Sequence, residues 1–544
     1  MIGYNCKYAP IEILSGFGET AQLINNEADN FDYSSSMLHP NMCSHAKAML
    51  EDIHSEDHNE LLFMNCCDSS RRVMDAVKTK NRRFVYSIDL PSCGNACAVE
   101  RFSEDILDFI KAYEKHSKKE FDREKFLASF QEGGTLPQGK YIAVMGARSN
   151  NTLLSVAKKI FSNADILDLT CANNRNVVMP TVAENETLEE IIEKYAKALL
   201  SQLPCMRMQD IRQREMLLDG ENCLGIIYNT VKFCDYYDFE FSHLKGLSVP
   251  IIRVETDFTS QSYGQLLTRL EGFAETLEDN TEKKEVKINM SGKYYVGIDS
   301  GSTSTELLAL DKEGNIAKSV MVRTGANAAA GAQSALEKAG ISKEEIIKLV
   351  ATGYGRKNID FADDNVTEIT CHARGAKHLF PEVRTIIDIG GQDSKVISLD
   401  ENGKVTNFVM NDKCAAGTGR FLENMAKVLE LNIDDMAEIG LKYKNDLTIS
   451  SMCTVFAESE VVSLIAENHS VPDIVHGLNK SVAVKTNALA KSAKDFSFVI
   501  MTGGVARNKG VVSELEKQLK TTLHIPEQPE FCGALGAALI AAEK

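Results

Sequence analysis

Short apolar runs alternate with stretches of helical spacing along nearly the whole chain. In the first half, Leu61-Leu62-Phe63-Met64, Arg83–Ile88, Tyr141–Met145, Leu224–Tyr228 and Pro250–Val254 read as buried strands. Between them, Ile106, Phe109, Ile110 and Tyr113 fall on one helical face, with Ser103 as a candidate cap. Long helices are expected around 103–130 and 185–203, separating two lobes. Such alternation predicts parallel sheets with crossover helices. The pattern stops at Glu278–Lys293, a polar, charged stretch that reads as a linker. Beyond it, Tyr294–Ile298 runs through Asp299-Ser300-Gly301-Ser302-Thr303 into Glu306–Leu310, which is strand, turn, strand. A second strand–glycine unit is Thr385–Ile389 with Gly390-Gly391-Gln392-Asp393. A third is Phe498–Thr502 with Gly503-Gly504. No short-period repeat is visible.

The chain has 544 residues, enough for three or four compact units at roughly 100–200 residues each. Its 60 Lys+Arg against 77 Asp+Glu leave a net charge of −17. That argues against non-specific nucleic-acid binding and against anionic membranes. No apolar run is long enough for a membrane helix. Met1–Lys7 lacks the basic and apolar regions of a signal peptide, so the expected location is cytoplasmic. Fourteen cysteines in a reducing compartment are not expected to form disulfides; they call for metal, catalysis or burial.

The Asp299–Thr303 and Asp388–Asp393 turns set an acid beside small residues. Glycine lets backbone N–H groups approach an anion, and the hydroxyls add donors. A strand-end Asp can hold Mg²⁺ through water or orient an attacking water. One such turn alone is usually only a turn. Two of them with Gly503-Gly504 form a set that resembles the ATPase superfamily of actin, sugar kinases and heat-shock-70 chaperones. The candidate catalytic residues are Asp299, Asp388 and Gln392. The candidate nucleotide-binding residues are Ser300, Gly301, Ser302, Thr303, Gly390, Gly391, Gly503 and Gly504. Gly134–Lys140 imitates a P-loop, but Tyr141 follows its Lys and the segment precedes a strand, so the P-loop context is absent.

Asn411–Phe421 and Ser450–Glu460 each place a cysteine, Cys414 and Cys453, near the start of a helical run. A helix N-terminus favours a thiolate or an anionic cluster there. Two thiolates cannot close a four-ligand site, whereas a two-fold dimer supplies four. Taken singly, either cysteine reads as a buried packing residue. Residues 294–542 resemble the activator ATPase of 2-hydroxyacyl-CoA dehydratases, in the benzoyl-CoA reductase activator family. The resemblance is carried by Gly297–Thr303, Ala351–Arg356, Ile387–Asp393, both cysteine segments, Met501–Ala506 and Gly533–Ala538. It implies a homodimer through the carboxyl-terminal domain, ATP with Mg²⁺, and one [4Fe-4S] cluster bridging the dimer on Cys414 and Cys453 of each copy. One departure is Thr305-Glu306, where the family usually has Lys. Either a carboxylate replaces a phosphate-facing cation, or Glu306 points to solvent.

Residues 1–277 resemble the D-component of 2-hydroxyglutaryl-CoA dehydratase. The resemblance is carried by Gly3–Glu12, His39–Ser44, Asn65–Arg72, Pro204–Met208, Val231–Asp235 and Glu255–Phe258. It implies a second iron–sulfur cluster, with Cys43, Cys67 and Cys234 at the matching ligand positions. Cys67 and Cys234 follow expected strands, where α/β sites form. Cys6, Cys66, Cys93, Cys97 and Cys205 stay undecided. They permit either a [4Fe-4S] cluster or the double cubane of one family branch. Cys171, Cys223, Cys371 and Cys532 are assigned to packing.

The expected fold class is α/β: a two-lobed parallel-sheet dehydratase-like domain (1–277), a linker (278–293) and a two-lobed actin-like, ribonuclease-H-like ATPase domain (294–544). The expected function is ATP-dependent low-potential electron transfer from the activator domain's [4Fe-4S] cluster to the amino-terminal cluster. Ferredoxin or flavodoxin would be the donor, and a separate dehydratase subunit is a further possible partner. The alternatives are an ATP-driven reductase of a small molecule at a double cubane, or an iron-free ATPase or kinase of the same fold.

Overall fold

The apolar runs of the first half build two four-stranded parallel sheets. A computed structural model describes every residue except 57, 79–81, 131–135, 172–174, 180, 219–220, 235–236, 238–239, 242–243, 245–246, 248, 260–262, 278–291, 412–414, 450–453 and 544. The chain divides into two compact units, Met1–Leu270 and Glu271–Lys544. Among the described residues, no helix is long and apolar enough to cross a membrane.

In the first unit, β1 (Ile2–Tyr4), β2 (Ala21–Leu23), β3 (Glu60–Asn65) and β4 (Phe84–Asp89) pair in the order β2-β1-β3-β4. The second sheet has β5 (Tyr141–Gly146), β6 (Asp165–Asp168), β7 (Cys223–Val231) and β8 (Ile251–Thr256) in the order β6-β5-β7-β8. All pairings are parallel. Both faces of β3 are covered: Leu61 and Phe63 join one core, Leu62 and Met64 another. A strand buried on both faces reads as one continuous apolar run, which is why it was visible in the sequence. Strands β1, β2 and β6 were not anticipated; at three or four residues they carry too little pattern.

The helix expected after Ser103 starts earlier, at Ala96, and runs to Ser117. Its cap is Asn95, whose side chain accepts from the Ala98 N–H at 2.9 Å. Ser103 lies inside the helix and turns its hydroxyl back to the Glu100 carbonyl, 2.6 Å away. The chain leaves the helix at Lys118 in the left-handed region and resumes as a short helix, Arg123–Ala128. Helix Leu188–Leu200 begins with a capping box, Thr187 with Glu190. Its Ile191, Tyr195 and Leu199 share a core with Phe102, Ile106 and Phe109.

In the second unit, β9 (Tyr294–Ser300), β10 (Ser304–Leu310), β11 (Ile316–Arg323), β12 (Ile346–Thr352) and β13 (Asp364–Asn365) order as β11-β10-β9-β12-β13. Strands β14 (Thr385–Ile389), β15 (Ser394–Leu399), β16 (Val405–Asn411), β17 (Val499–Thr502) and β18 (Leu523–His524) order as β16-β15-β14-β17-β18. In both sheets the first three strands form an antiparallel meander and the last two run parallel to the first. The same five-strand order occurring twice is the duplicated ribonuclease-H-like element of actin-like ATPases. The fold is thus α/β, with parallel sheets ahead of an actin-like ATPase unit. Helices Glu368–Leu379 and Cys532–Ala542 cross so closely that a Cβ on Gly536 would lie 1.7 Å from the Cys371 carbonyl oxygen. Of the expected linker, residues 278–291 lie outside the described residues.

Candidate functional site

Strands β9 and β14 end in the two expected acids. Asp299 pairs in register with Glu306 across the first hairpin, and Asp388 with Lys395 across the second. The two turns meet: a Cβ on Gly391 would sit 2.4 Å from Thr303 Oγ1. Ser300, Gly301, Ser302, Thr303, Gly390, Gly391 and Gln392 therefore stand on two facing turns. Gly503 is reached from β17, where Thr502 Oγ1 donates to Asp388 Oδ1 at 2.8 Å. Gly503 has φ +81°, and a Cβ there would fall 2.4 Å from the Ile389 carbonyl oxygen. No side chain fits between these two strand ends. Gly504 starts the short turn that follows, Gly504–Arg507.

Around the two acids lies an excess of carboxylate. Asp299, Glu306, Glu368, Asp388 and Asp393 are all buried. The ammonium of Lys395 lies 2.7 Å from Asp393, 3.3 Å from Asp388 and 3.7 Å from Glu368. His372 stands between the hairpins, 3.8 Å from Asp299 and 3.7 Å from Asp388. Burial pulls His372 below its ordinary range. Burial, reinforced by Glu306, pushes Asp299 well up. Burial also presses on Asp388, but His372, Lys395 and Thr502 outweigh it and hold its carboxyl below the usual range. Two strand-end acids with opposed shifts suit different roles. Buried carboxylates in excess of cations fit the divalent ion that accompanies a nucleoside polyphosphate.

Glu306 does not face solvent. It is 6% exposed, because β10 is an inner strand of its sheet. Burial, with Glu530 and Asp388 nearby, pushes its carboxyl up. Sequence reading did not single out Lys395, Glu368 or His372. Their signal was faint: Lys395 follows Asp393 by two residues on the return strand.

The second hairpin is wired to the start of helix Gly419–Val428. Gly419 N–H donates to the Gly390 carbonyl at 2.9 Å, and Arg420 N–H to the Gly391 carbonyl at 2.9 Å. Ser394 Oγ donates to the Gly417 carbonyl at 2.9 Å. Cys414 and Cys453 themselves lie outside the described residues. Helix Thr454–Ala466, which follows Cys453 in sequence, exposes Val455 and Phe456, each 67%, together with Val462 and Ile465.

In the first unit, seven thiols form one network at the carboxyl ends of the two sheets. Cys6 follows β1, Cys66 and Cys67 follow β3, Cys171 follows β6 and Cys234 follows β7. Cys43 caps helix Ser44–Ser55, accepting from Ala46 N–H at 3.4 Å. Cys205 sits in the loop beyond Leu200. In each sheet the strand order reverses between β1 and β3, or between β5 and β7. Such switch points open the crevice where α/β sheets bind ligands. Cys66 is the largest influence on both Cys6 and Cys67, lowering each to about 7, while it is itself raised well up. Cys171 interacts with Cys6 and Cys205, and Cys234 with Cys171, Cys43 and Cys67. Burial pushes Cys43 and Cys205 up, and Cys171 to about 12. Cys6, Cys43 and Cys205 are buried, and the group opens to solvent at Cys67.

The expected ligands Cys43, Cys67 and Cys234 thus come together, and the undecided Cys6, Cys66 and Cys205 join them. Cys171, assigned to packing, is packed partly buried against the core; β6 also delivers it to the same end of the sheet, with Cys6 and Cys205 as electrostatic neighbours. Cys93 lies after β4 and Cys97 in the first turn of helix Ala96–Ser117. Cys223, Cys371 and Cys532 are buried packing residues. Among the described residues, no three His, Cys, Asp or Glu side chains converge on a point that would hold a single metal ion. Seven thiols at one end of the two sheets are the donor type that iron–sulfur clusters take. Arg148 and Lys7, both buried, have these thiols as electrostatic neighbours, and buried cations need anionic partners; Arg214, also buried, already has Glu240.

Residues 296–541 match the BadF/BadG/BcrA/BcrD ATPase family. Residues 6–134 and 147–277 match the D-component of 2-hydroxyglutaryl-CoA dehydratase. The chain is 46% identical over 252 residues to the 2-hydroxyisocaproyl-CoA dehydratase activator of Clostridioides difficile, covering 46% of this chain and 94% of that protein. It is 48% identical over 256 residues to the (R)-2-hydroxyglutaryl-CoA dehydratase activating ATPase of Acidaminococcus fermentans, covering 46% of this chain and 98% of that one. A solved structure, the activator of the 2-hydroxyisocaproyl-CoA dehydratase from Clostridium difficile with bound ADPNP, is similar at 45% identity and a TM-score of 0.44, covering 46% of this chain and 94% of that chain.

Proposed function

The chain belongs to the BadF/BadG/BcrA/BcrD ATPase family and carries a 2-hydroxyglutaryl-CoA dehydratase D-component-like half ahead of its ATPase half, and from that premise we propose that it couples ATP hydrolysis to low-potential electron delivery into its own amino-terminal iron–sulfur site. The reading divides the chain into 1–277 as the accepting domain, 278–293 as linker and 294–544 as the ATPase.

In the ATPase, the two facing turns bind the phosphates of ATP through backbone N–H groups and hydroxyls. Asp388, held ionised by Lys395, His372 and Thr502, would hold the Mg²⁺ that neutralises phosphate charge. Asp299 and Gln392 orient the attacking water. The Gly390–Gly419 and Ser394–Gly417 bonds pass the state of the phosphate turn to the segment that follows Cys414. Cys414 and Cys453 supply two thiolates, and a second copy of the chain supplies two more. The exposed Val455, Phe456, Val462 and Ile465 give such a copy an apolar surface to cover. A ferredoxin or flavodoxin serves as electron donor.

In the amino-terminal half, Cys43, Cys67 and Cys234 with Cys6, Cys66, Cys171 and Cys205 form the ligand pool. The iron–sulfur groups, when bound, supply one-electron transfer at low potential. The seven-thiol network carries this reading: a plain kinase or ATPase has no use for it. Seven thiols also exceed the four that a single cubane takes. That excess favours a double cubane over a single [4Fe-4S] cluster in this half.

Anaerobic purification with iron and sulfide quantification, and EPR with and without ATP, tests it. About four irons per dimer would leave the amino-terminal half empty and defeat the reading; about twelve fits two further cubanes, and about twenty fits two double cubanes.

A further inference from the structure

We propose that Arg148 donates hydrogen bonds to the inorganic core of the amino-terminal centre and thereby raises its reduction potential. The inference rests on the iron–sulfur reading above and assigns a residue that lies outside the ligand set.

Arg148 follows β5, at the switch point of the second sheet, and is 3% exposed. One of its nitrogens is used: Nη1 donates to the Asn5 carbonyl at 2.8 Å. Nε and Nη2 are buried and have no hydrogen-bond partner among the described residues. Its electrostatic neighbours are Cys171, Cys6, Cys66 and Tyr4. Arg214 Nε and Nη2 and Arg175 Nε also lack partners among the described residues, so the contrast with these two arginines of the unit lies in the counter-charge. Arg214 pairs with Glu240 at 2.6 Å, and Arg175 holds Glu12 at 2.5 and 2.7 Å. Among the described residues, Arg148 forms no ion pair with a carboxylate. A guanidinium stays charged in a protein. Buried without a counter-anion, it costs several kcal/mol. A fold that retains it there supplies the anion some other way.

The position is also rigid. Asn229, on β7, donates its amide to the carbonyls of Ala147 and Arg148 at 3.2 and 2.8 Å. Asn229 Oδ1 in turn accepts from Thr256 Oγ1 on β8 at 3.0 Å. The main chain of Arg148 is therefore clamped to β7, which Thr256 of β8 braces in turn, and its two unpartnered nitrogens belong to a guanidinium whose electrostatic neighbours are Cys171, Cys6 and Cys66. Sulfide and thiolate sulfur gain negative charge on reduction. Donors aimed at them stabilise the reduced form more than the oxidised form.

The test uses the full-length chain carrying Cys414→Ser and Cys453→Ser, so that the remaining iron belongs to the amino-terminal half. Arg148→Met and Arg148→Lys are compared with this parent for iron and sulfide content and for the EPR-monitored midpoint potential. Arg148→Met is expected to keep its iron and to shift the reduction equilibrium about tenfold toward the oxidised form, about 59 mV for one electron. Arg148→Lys, which keeps the charge but not two divergent donors, is expected to show a smaller shift of the same sign. An unchanged midpoint in the loaded Met variant overturns the proposal, as does an unchanged midpoint in the Lys variant when only that one loads. If both variants stay folded yet take up no iron, Arg148 only builds the crevice, which also overturns it. A parent chain without iron sinks the iron–sulfur reading itself, a different result from any of these.

Discussion

Gly419 donates its backbone N–H to the carbonyl of Gly390 at 2.9 Å, so the first residue of a helix hangs on the turn of the second hairpin, the turn proposed above to bind phosphate. With the Arg420–Gly391 and Ser394–Gly417 bonds, this leaves a short path from a bound phosphate to the residues that follow Cys414. Switch segments commonly work this way, ordered by a phosphate and released on its loss.

Ser394→Ala removes one buried bond of the three. A neutral hydrogen bond contributes about 1 kcal/mol, roughly a fivefold change in a local equilibrium. The amides of Gly419 and Arg420 are therefore expected to exchange hydrogen about fivefold faster in the variant than in the parent with a bound ATP analogue. Mass-spectrometric exchange over residues 415–428 measures this. Equal protection in both proteins would show that the serine carries none of the coupling.

Glu306 sets a buried carboxylate beside Asp299, on the hairpin whose turn faces Gly391. A bound phosphate adds further negative charge to the same cleft. Glu306→Lys is expected to tighten ATP and ADP binding by about tenfold, ~1.4 kcal/mol, and Glu306→Gln by less. Titration calorimetry at fixed Mg²⁺ decides. Unchanged affinity in the lysine variant would mean that residue 306 does not sense the nucleotide.

The fold was legible where a strand is buried on both faces. Leu61–Met64 and Tyr141–Met145 announce themselves as apolar runs because neither face touches water. The three-residue strands β1 and β2 announce nothing, yet β1 delivers Cys6. Turn chemistry placed Asp299 and Asp388 at the strand ends, since glycine and hydroxyl residues leave few other readings of those segments. The partners of these acids were hidden. Lys395 is an ordinary lysine until the hairpin closes it against Asp388, and His372 reaches the hairpins from a helix remote in sequence. The thiols split in the same way. Cys67 and Cys234 follow recognisable strands, whereas Cys171 follows the four-residue β6, and only the sheet order shows that it ends beside Cys6 and Cys205.

Membership of Cys171 in the network separates it from Cys93 and Cys97. Cys171→Ser is expected to cost the amino-terminal half about half of its iron or more, because a multi-iron centre loses stability with a missing thiolate. Cys93→Ser and Cys97→Ser are expected to keep the parent's iron and EPR line shape. Iron and sulfide counts on the anaerobically purified variants read this directly. The reverse pattern would move the ligand set to the β4 side of the first sheet.

The crossing of helices Glu368–Leu379 and Cys532–Ala542 supports the ATP cleft from below, since the first carries His372 and the second begins beside Asp299. A Cβ on Gly533 would lie 2.1 Å from Asp299 Oδ2, and one on Gly536 would lie 1.7 Å from the Cys371 carbonyl oxygen. The second obstacle is not a side-chain end that could swing away; it is backbone. Gly536→Ala must therefore push the helices apart or bend one, and overpacking of this kind typically costs about 1–3 kcal/mol. For a unit of this size, each kcal/mol corresponds to roughly 2–4 °C in the melting midpoint. Gly264→Ala provides the contrast: it lies in helix Tyr263–Leu277 with nothing within 4 Å of the new Cβ. Replacing a helical glycine in open space is expected to be neutral or to stabilise by up to about 1 kcal/mol. Calorimetry of both variants, with and without ATP, tests the point. Gly536→Ala should melt earlier and bind ATP more weakly, because the displaced helix carries His372 away from both acids. If Gly536→Ala melts like the parent, the two helices do not meet at backbone distance, and the tight support assigned to the acids is absent.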